Sequence, residues 1–203
     1  MLRGLDLTIR TGELLGLVGA NGSGKSTLLR VLATLLALRG GSGQVLGAAL
    51  GTQACAAVRP RIALVGHTPA LYPHLTLAEN LHVIARLTGV APGAVDGALD
   101  TVGLAAAAGR RADRCSQGMQ RRAELARVLA AAPELLLLDE PHAGLDAGSR
   151  GLVDLVADRV RRRGGACVAV SHERDRLHCL ADRVVEIVEG RARVLDPPRE
   201  VPA

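Results

Sequence analysis

The chain has 203 residues, a length that suits one globular domain with a full core and is short for two. Its formal charge is +5, from 25 cationic against 20 acidic residues, and 48% of it is apolar, yet no apolar stretch approaches the roughly 20 residues that cross a bilayer. The N-terminus lacks the pattern of a basic region, an apolar run and a small-residue cleavage site, and Cys55, Cys115, Cys167 and Cys179 form no C-x-x-C pair. A secreted disulfide framework, a zinc knuckle and a membrane-spanning chain are thereby excluded, and a cytoplasmic protein that meets a membrane only through a partner is expected.

Leu2 to Ile9 alternates apolar and polar residues and predicts a strand. Glu13 to Val18 predicts a second, more buried strand, which runs into a glycine-rich loop and then a helix over Thr27 to Leu38, ended by Gly40-Gly41. A short strand near Gln44 to Leu46 is followed by a stretch to Pro60 without a clear period. Ile62 to Val65 predicts a buried strand. Helices are predicted over Leu77 to Leu87, Val95 to Val102 and Gly118 to Ala131, the last stopped by Pro133.

Leu135 to Leu138 is a fully apolar strand that ends in Asp139-Glu140-Pro141. Gly148 to Arg163 is an amphipathic helix, Cys167 to Val170 a strand before Ser171-His172, and Val184 to Val188 with Ala192 to Leu195 a terminal hairpin. Alternating strands and helices predict a mainly parallel α/β sheet, with residues from about 76 to 132 as a helical subdomain inserted between two core strands. One dense basic cluster, Arg159 with Arg161 to Arg163, ends a helix, where cations complement the helix dipole. No nucleic-acid partner is therefore expected.

The chemistry is concentrated in Gly19-Ala20-Asn21-Gly22-Ser23-Gly24-Lys25-Ser26, which fits G-x-x-x-x-G-K-[ST] and lies between a strand and a helix. Glycines let successive backbone N–H groups of Gly19, Asn21, Gly22, Ser23 and Gly24 turn toward a polyphosphate, and the helix N-terminus at Ser26 and Thr27 adds partial positive charge. Lys25 can reach the β- and γ-phosphates of ATP, and the Ser26 hydroxyl can bind Mg2+. Lys25 is the only lysine beside 24 arginines (25 minus 1), and a compact ammonium on a flexible stem differs physically from a planar fork. An ordinary Gly-rich turn is the alternative. Asp139, delivered by the apolar strand, is the second expected Mg2+ contact, and Glu140 the residue that polarises the attacking water. This is the pattern of a P-loop NTPase.

Beside that pair, Cys115-Ser116-Gln117-Gly118-Met119 resembles the signature loop of ABC (ATP-binding cassette) ATPases in its variant with Ser, one residue, Gly, then Met. It departs from the commoner form at Cys115, Gln117 and Met119, and a plain helix cap would use the same Ser116. Gly144-Leu145-Asp146 looks like the family loop that crosses a dimer interface, and Ser171-His172 like its switch histidine at the γ-phosphate. The resemblance covers about residues 2 to 195. It implies a homodimer, or a pairing with another ATP-binding subunit, around two ATPs, with Ser116 and Gly118 facing the partner's nucleotide and Glu140, His172 and Lys25 serving hydrolysis. It also implies integral membrane permease subunits as partners, and a peripheral position on the inner face of the cell membrane.

His67 occupies the place where most such domains carry a glutamine that senses Mg2+ and the membrane partner. Gly66-His67-Thr68-Pro69 with Leu75 to Leu81 is similar to the ATP-binding subunit of the haem exporter used in cytochrome c maturation. That similarity implies haem export, with ATPases of drug, antibiotic or polysaccharide exporters as the alternative. DNA-repair and translation-associated relatives fit less well, since no coiled coil, zinc module or second cassette is present. Family members usually add an upstream strand and an adenine-stacking aromatic. Only 18 residues precede the phosphate loop here, none of them aromatic, and Tyr72 is the only aromatic in the chain. Tyr72, with Leu71 and Leu75, is a candidate anchor in the segment that in this family receives a transmembrane coupling helix, with a Tyr-Pro turn and a solvated ring as the alternative.

Overall fold

The computed structural model describes residues 2–171 and 174–195. In chain order it contains β1 (Leu14–Val18), α1 (Lys25–Leu32), β2 (Gln44–Val45), β3 (Ala48–Ala49), α2 (Cys55–Val58), β4 (Ile62–Val65), α3 (Leu77–Thr88), α4 (Gly93–Thr101) and α5 (Gln117–Ala131). These are followed by β5 (Leu135–Asp139), α6 (Gly151–Arg162), β6 (Ala166–Val170), α7 (Arg174–Leu180), β7 (Arg183–Val188) and β8 (Arg191–Leu195). The expected mainly parallel α/β core is present: β4-β5-β6-β1-β7 are parallel, and only β8 runs antiparallel, against β7. A separate two-stranded antiparallel piece, β2 with β3, turns at Leu46-Gly47, where both residues have positive φ.

The sheet is covered on both faces, which is why its strands read as continuous apolar runs rather than alternating ones. Leu14, Leu136, Leu138, Cys167 and Val184 pack toward α3, α4, α5 and α6, while Leu15, Leu17, Leu137, Val168 and Val185 pack toward α1 and α2. Each fully buried leucine contributes about 1.5–3 kcal/mol of burial free energy. β1 is buried along its whole length between β6 and β7, so the loop that leaves it emerges at mid-sheet. Burial also raises the Cys167 thiol pKa to about 12, which keeps this buried cysteine in its unreactive thiol form.

Between β4 and β5 the chain forms α3, α4 and α5. α3 begins with a reciprocal capping box: the Thr76 hydroxyl accepts from the Glu79 N–H, and the Glu79 carboxylate accepts from the Thr76 N–H. Asn80, 4% exposed, pins the preceding loop by accepting from the Tyr72 N–H and donating to the carbonyls of Tyr72 and Thr76.

Two expectations need correction, and two helices were not predicted. Leu2 to Ile9 is no strand: Leu2, Leu5, Leu7 and Ile9 pack half-buried against the α1 face as the alternation predicts, but among the described residues the segment joins no ladder, and only the Arg3 N–H reaches the Gly190 carbonyl of the last hairpin. Alternation specifies a face, whereas a strand also needs a neighbour's backbone groups. α1 begins earlier, at Lys25, and ends at Leu32, because Thr34 turns left-handed at φ 58 and Leu35 and Leu36 are 67% and 46% exposed, with no apolar surface to cover. The stretch before Pro60 holds α2, and α7 was not foreseen. Among the described residues, no helix is long and apolar enough to cross a membrane.

Candidate functional site

The phosphate loop is shaped by glycines that no other residue replaces. Gly19 has φ 147, and a Cβ there would lie 2.7 Å from the Ile187 carbonyl oxygen and 2.8 Å from the Ser23 hydroxyl. Gly24 sits at φ 110 as the N-cap of α1, with no side chain capping the helix. Lys25, 8% exposed, folds its ammonium back onto its own loop, donating to the carbonyls of Gly19 at 2.8 Å and Ala20 at 3.0 Å. The buried Ser23 hydroxyl has no hydrogen-bond partner among the described residues.

A cleft of about 360 Å³ opens over this loop, lined by Asn21, Gly22, Gly24, Lys25, Ser26, Thr27, His67, Asp139, Glu140 and Val170. The structure therefore gathers nine of the sequence-predicted residues, from three separate segments, around one space; Gly19 and Ser23 lie behind them in the same loop. Asp139 arrives as the last residue of β5, paired in register with Val170. Glu140 leaves the strand at φ 52, a left-handed conformation that costs a residue with a Cβ roughly 1 kcal/mol. Its N–H donates to the Val170 carbonyl, and its own carbonyl accepts from Arg121 Nη2 at 3.0 Å.

Ser116, Gly118 and Asp146 lie outside the cleft. The Ser116 hydroxyl caps α5, accepting from the Met119 N–H. Gly118 lies against the Gly144 carbonyl, with 3.3 Å to an added Cβ, and the Gln117 side chain covers Gly144 itself. Asp146 is exposed and accepts from the Ser149 N–H at 2.8 Å. The Ser149 hydroxyl and N–H hold its carboxyl below the ordinary aspartate range. His172 lies outside the described residues.

A model of the ABC transporter family matches residues 2–143. The chain belongs to the ABC transporter family. This ABC cassette is 38% identical over 199 residues to the aliphatic sulfonates import ATP-binding protein of Agrobacterium fabrum, covering 94% of the chain and 67% of that protein. It is 39% identical over 207 residues to the lipoprotein-releasing system ATP-binding protein of Anaeromyxobacter dehalogenans, covering 98% and 86%. It is 34% identical over 204 residues to an Fe(3+) ions import ATP-binding protein of Rhodococcus jostii, covering 99% and 59%.

Among solved structures, the cassette matches an ATP-binding subunit of an ABC transporter at TM-score 0.88, 25% identity and 96% and 84% coverage. A dimeric ATP-binding cassette bound to ADP and Pi matches at TM-score 0.87, 24% identity and 96% and 90% coverage, which shows a shared fold.

The cassette's residues fit the groups this family handles. Glycines leave room for a polyphosphate: a Cβ at Gly22 would meet nothing within 4 Å. The Ser26 hydroxyl and the Asp139 carboxylate, both in the cleft, are hard oxygen donors of the kind Mg2+ takes. Sequence reading missed two buried charges of the cassette. Arg121, 1% exposed, and Glu124, 0% exposed, pair at 2.9 Å inside the helical region. Their signal was present: at i and i+3 they share the face of α5 that carries buried Leu125 and Val128.

Proposed function

We propose that this chain is the ATP-hydrolysing subunit of a membrane transporter, working as a homodimer or beside a paired ATP-binding subunit. The observation that carries this reading is the single cleft that joins Lys25 and Ser26 with Asp139 and Glu140. Backbone N–H groups of the Gly19–Thr27 loop would bind the phosphates, and Lys25 would leave the Gly19 and Ala20 carbonyls for the β- and γ-phosphate oxygens. Ser26 and Asp139 would hold Mg2+, which when bound neutralises phosphate charge. The Glu140 carboxylate would orient and polarise the attacking water, with His67 at the rim and His172 toward the γ-phosphate. Ser116, Gly118 and Asp146, which do not line the chain's own cleft, would meet the partner's nucleotide.

Integral membrane permease subunits are the expected partners, which would hold the protein at the inner face of the membrane. The relatives above are named for sulfonates, Fe(3+) ions and lipoproteins, and none of them for haem. Neither haem as cargo nor export as direction draws support from them, which leaves a transport ATPase without an assigned cargo. Tyr72, the only aromatic in the sequence, is 59% exposed and does not line the cleft.

The test is affinity capture of a Glu140→Gln variant from solubilised membranes with ATP. Permease subunits should co-purify with ATP and not without it; their absence under both conditions argues against a transport role. Recovery of haem-handling subunits would restore the exporter reading.

A further inference from the structure

The Arg121–Glu124 pair is placed where a merely structural salt bridge has no need to be. Arg121 spends its guanidinium on backbone carbonyls of two catalytic segments: Nη1 donates to Gly66 at 2.6 Å, Nη2 to Glu140 at 3.0 Å, and Nε to Ala143 at 3.4 Å. Nη1 also donates to Glu124 Oε2 at 2.9 Å, and Glu124 Oε1 accepts from the Ala70 N–H at 2.8 Å. The pair thus holds both ends of the loop that carries His67 and the loop that begins at Glu140. Both residues sit on α5, Arg121 about one turn and Glu124 about two turns after Ser116 and Gly118.

Buried ion pairs are weak stabilisers, since apolar residues of similar size often serve as well or better, so the pair's value lies in the geometry it imposes. The left-handed Glu140 backbone is the kind of strain that persists only when its surroundings over-determine it. Val170 holds its N–H, while Arg121 and the Ala143 N–H hold its carbonyl. Arg127, on the same helix, donates to the Leu64 carbonyl at the end of β4, so α5 grips the strand from which the His67 loop departs as well.

We propose that Arg121, oriented by Glu124, is a positioning residue that locks the His67 loop and the Glu140 backbone to the signature-bearing helix. Hydrolysis then depends on the pair while nucleotide affinity does not, because among the described residues the side-chain hydrogen bonds of Arg121 and Glu124 go to the His67 and Glu140 loops and to each other, not to the phosphate loop. The inference rests on the proposed ATPase activity. The experiment compares wild type with Arg121→Lys, Arg121→Met and the doubly neutral Arg121→Met/Glu124→Met, which removes both charges of the pair together and leaves Arg127, 3.8 Å from Glu124, with its bond to the Leu64 carbonyl.

In the folded double variant kcat should fall about tenfold to a hundredfold, the scale of a misplaced catalytic group, with ATP Kd within a factor of about two to three. Arg121→Lys should recover part of the rate, through one of the lost contacts. Amide exchange in residues 66–70 and 140–145 should accelerate in the double variant, with the phosphate loop unchanged. A folded double variant with wild-type kcat and wild-type exchange in both loops overturns the proposal. If wild type binds ATP without hydrolysing it, the ATPase reading fails, and the exchange pattern alone decides whether the pair positions the two loops.

Discussion

Two helices in this chain start at the segments that sequence reading assigns to nucleotide, and their N-termini are built in opposite ways. α1 starts from Gly24, with no side chain over its first turn and a lysine ammonium parked on carbonyls of its own loop. α5 starts from Ser116, whose hydroxyl satisfies the Met119 N–H, while Gln117 and Gly118 press on Gly144. An uncapped N-terminus keeps donors and partial positive charge for an anion. A capped one has that donor met within the chain, and here it also lies against the Gly144 loop. The same local motif, a loop running into a helix, is therefore open as a receptor for the chain's own nucleotide in one case and tied as a joint in the other, where it would meet only a partner's nucleotide.

The strongest way to break this contrast is at Lys25. Lys25→Arg should lower turnover about a hundredfold or more, since a planar fork cannot replace a compact ammonium against the phosphates; near-normal steady-state hydrolysis would remove the receptor role. Gly19→Ala should come next. Its methyl would overlap the Ile187 carbonyl and the Ser23 hydroxyl, and a loss of about 2–4 kcal/mol in denaturant unfolding, with weaker ATP binding, is expected.

Ser116→Ala probes the joint. Losing the cap should cost about 1 kcal/mol and lower Tm by about 2–4 °C, with ATP affinity of the isolated chain unchanged. A fall in that affinity would mean that the α5 end serves the chain's own nucleotide after all.

The smallest effect concerns Asp146, whose carboxyl is held below its ordinary range by the Ser149 hydroxyl and N–H. Its contribution is present above the ordinary aspartate pKa, about 3.9, and disappears as pH falls through the lower folded value. Stability curves of wild type and Asp146→Asn should differ slightly at neutral pH and converge in acid. Curves that stay parallel down to low pH would show that the carboxylate contributes nothing.

Ile62 to Val65 and Leu135 to Asp139 were legible because a doubly covered strand must be apolar throughout, and the phosphate loop because its glycine spacing serves no commoner purpose. Leu35 and Leu36 misled for a physical reason: an apolar pair extends a helix only where it finds a surface to bury against. Leu2 to Ile9 misled differently, since its alternation is real while its pairing partner is not something a single segment reveals. The convergence of Asn21, His67 and Glu140 on one cleft is a product of sheet order, which brings chain-distant strand ends together. Arg121 and Glu124 were passed over because charges are read as solvated by default, although their spacing places them on the face of α5 that carries Leu125 and Val128.

Lys25 has one more consequence, for whoever handles the protein. It carries the only side-chain amine in the sequence, and that amine is nearly buried against the Gly19 and Ala20 carbonyls. Amine-directed labelling, which on most proteins yields an uninterpretable mixture, here reduces to the chain terminus and one lysine in the phosphate loop. A single mass increment on that peptide becomes a direct reporter of whether the loop is occupied.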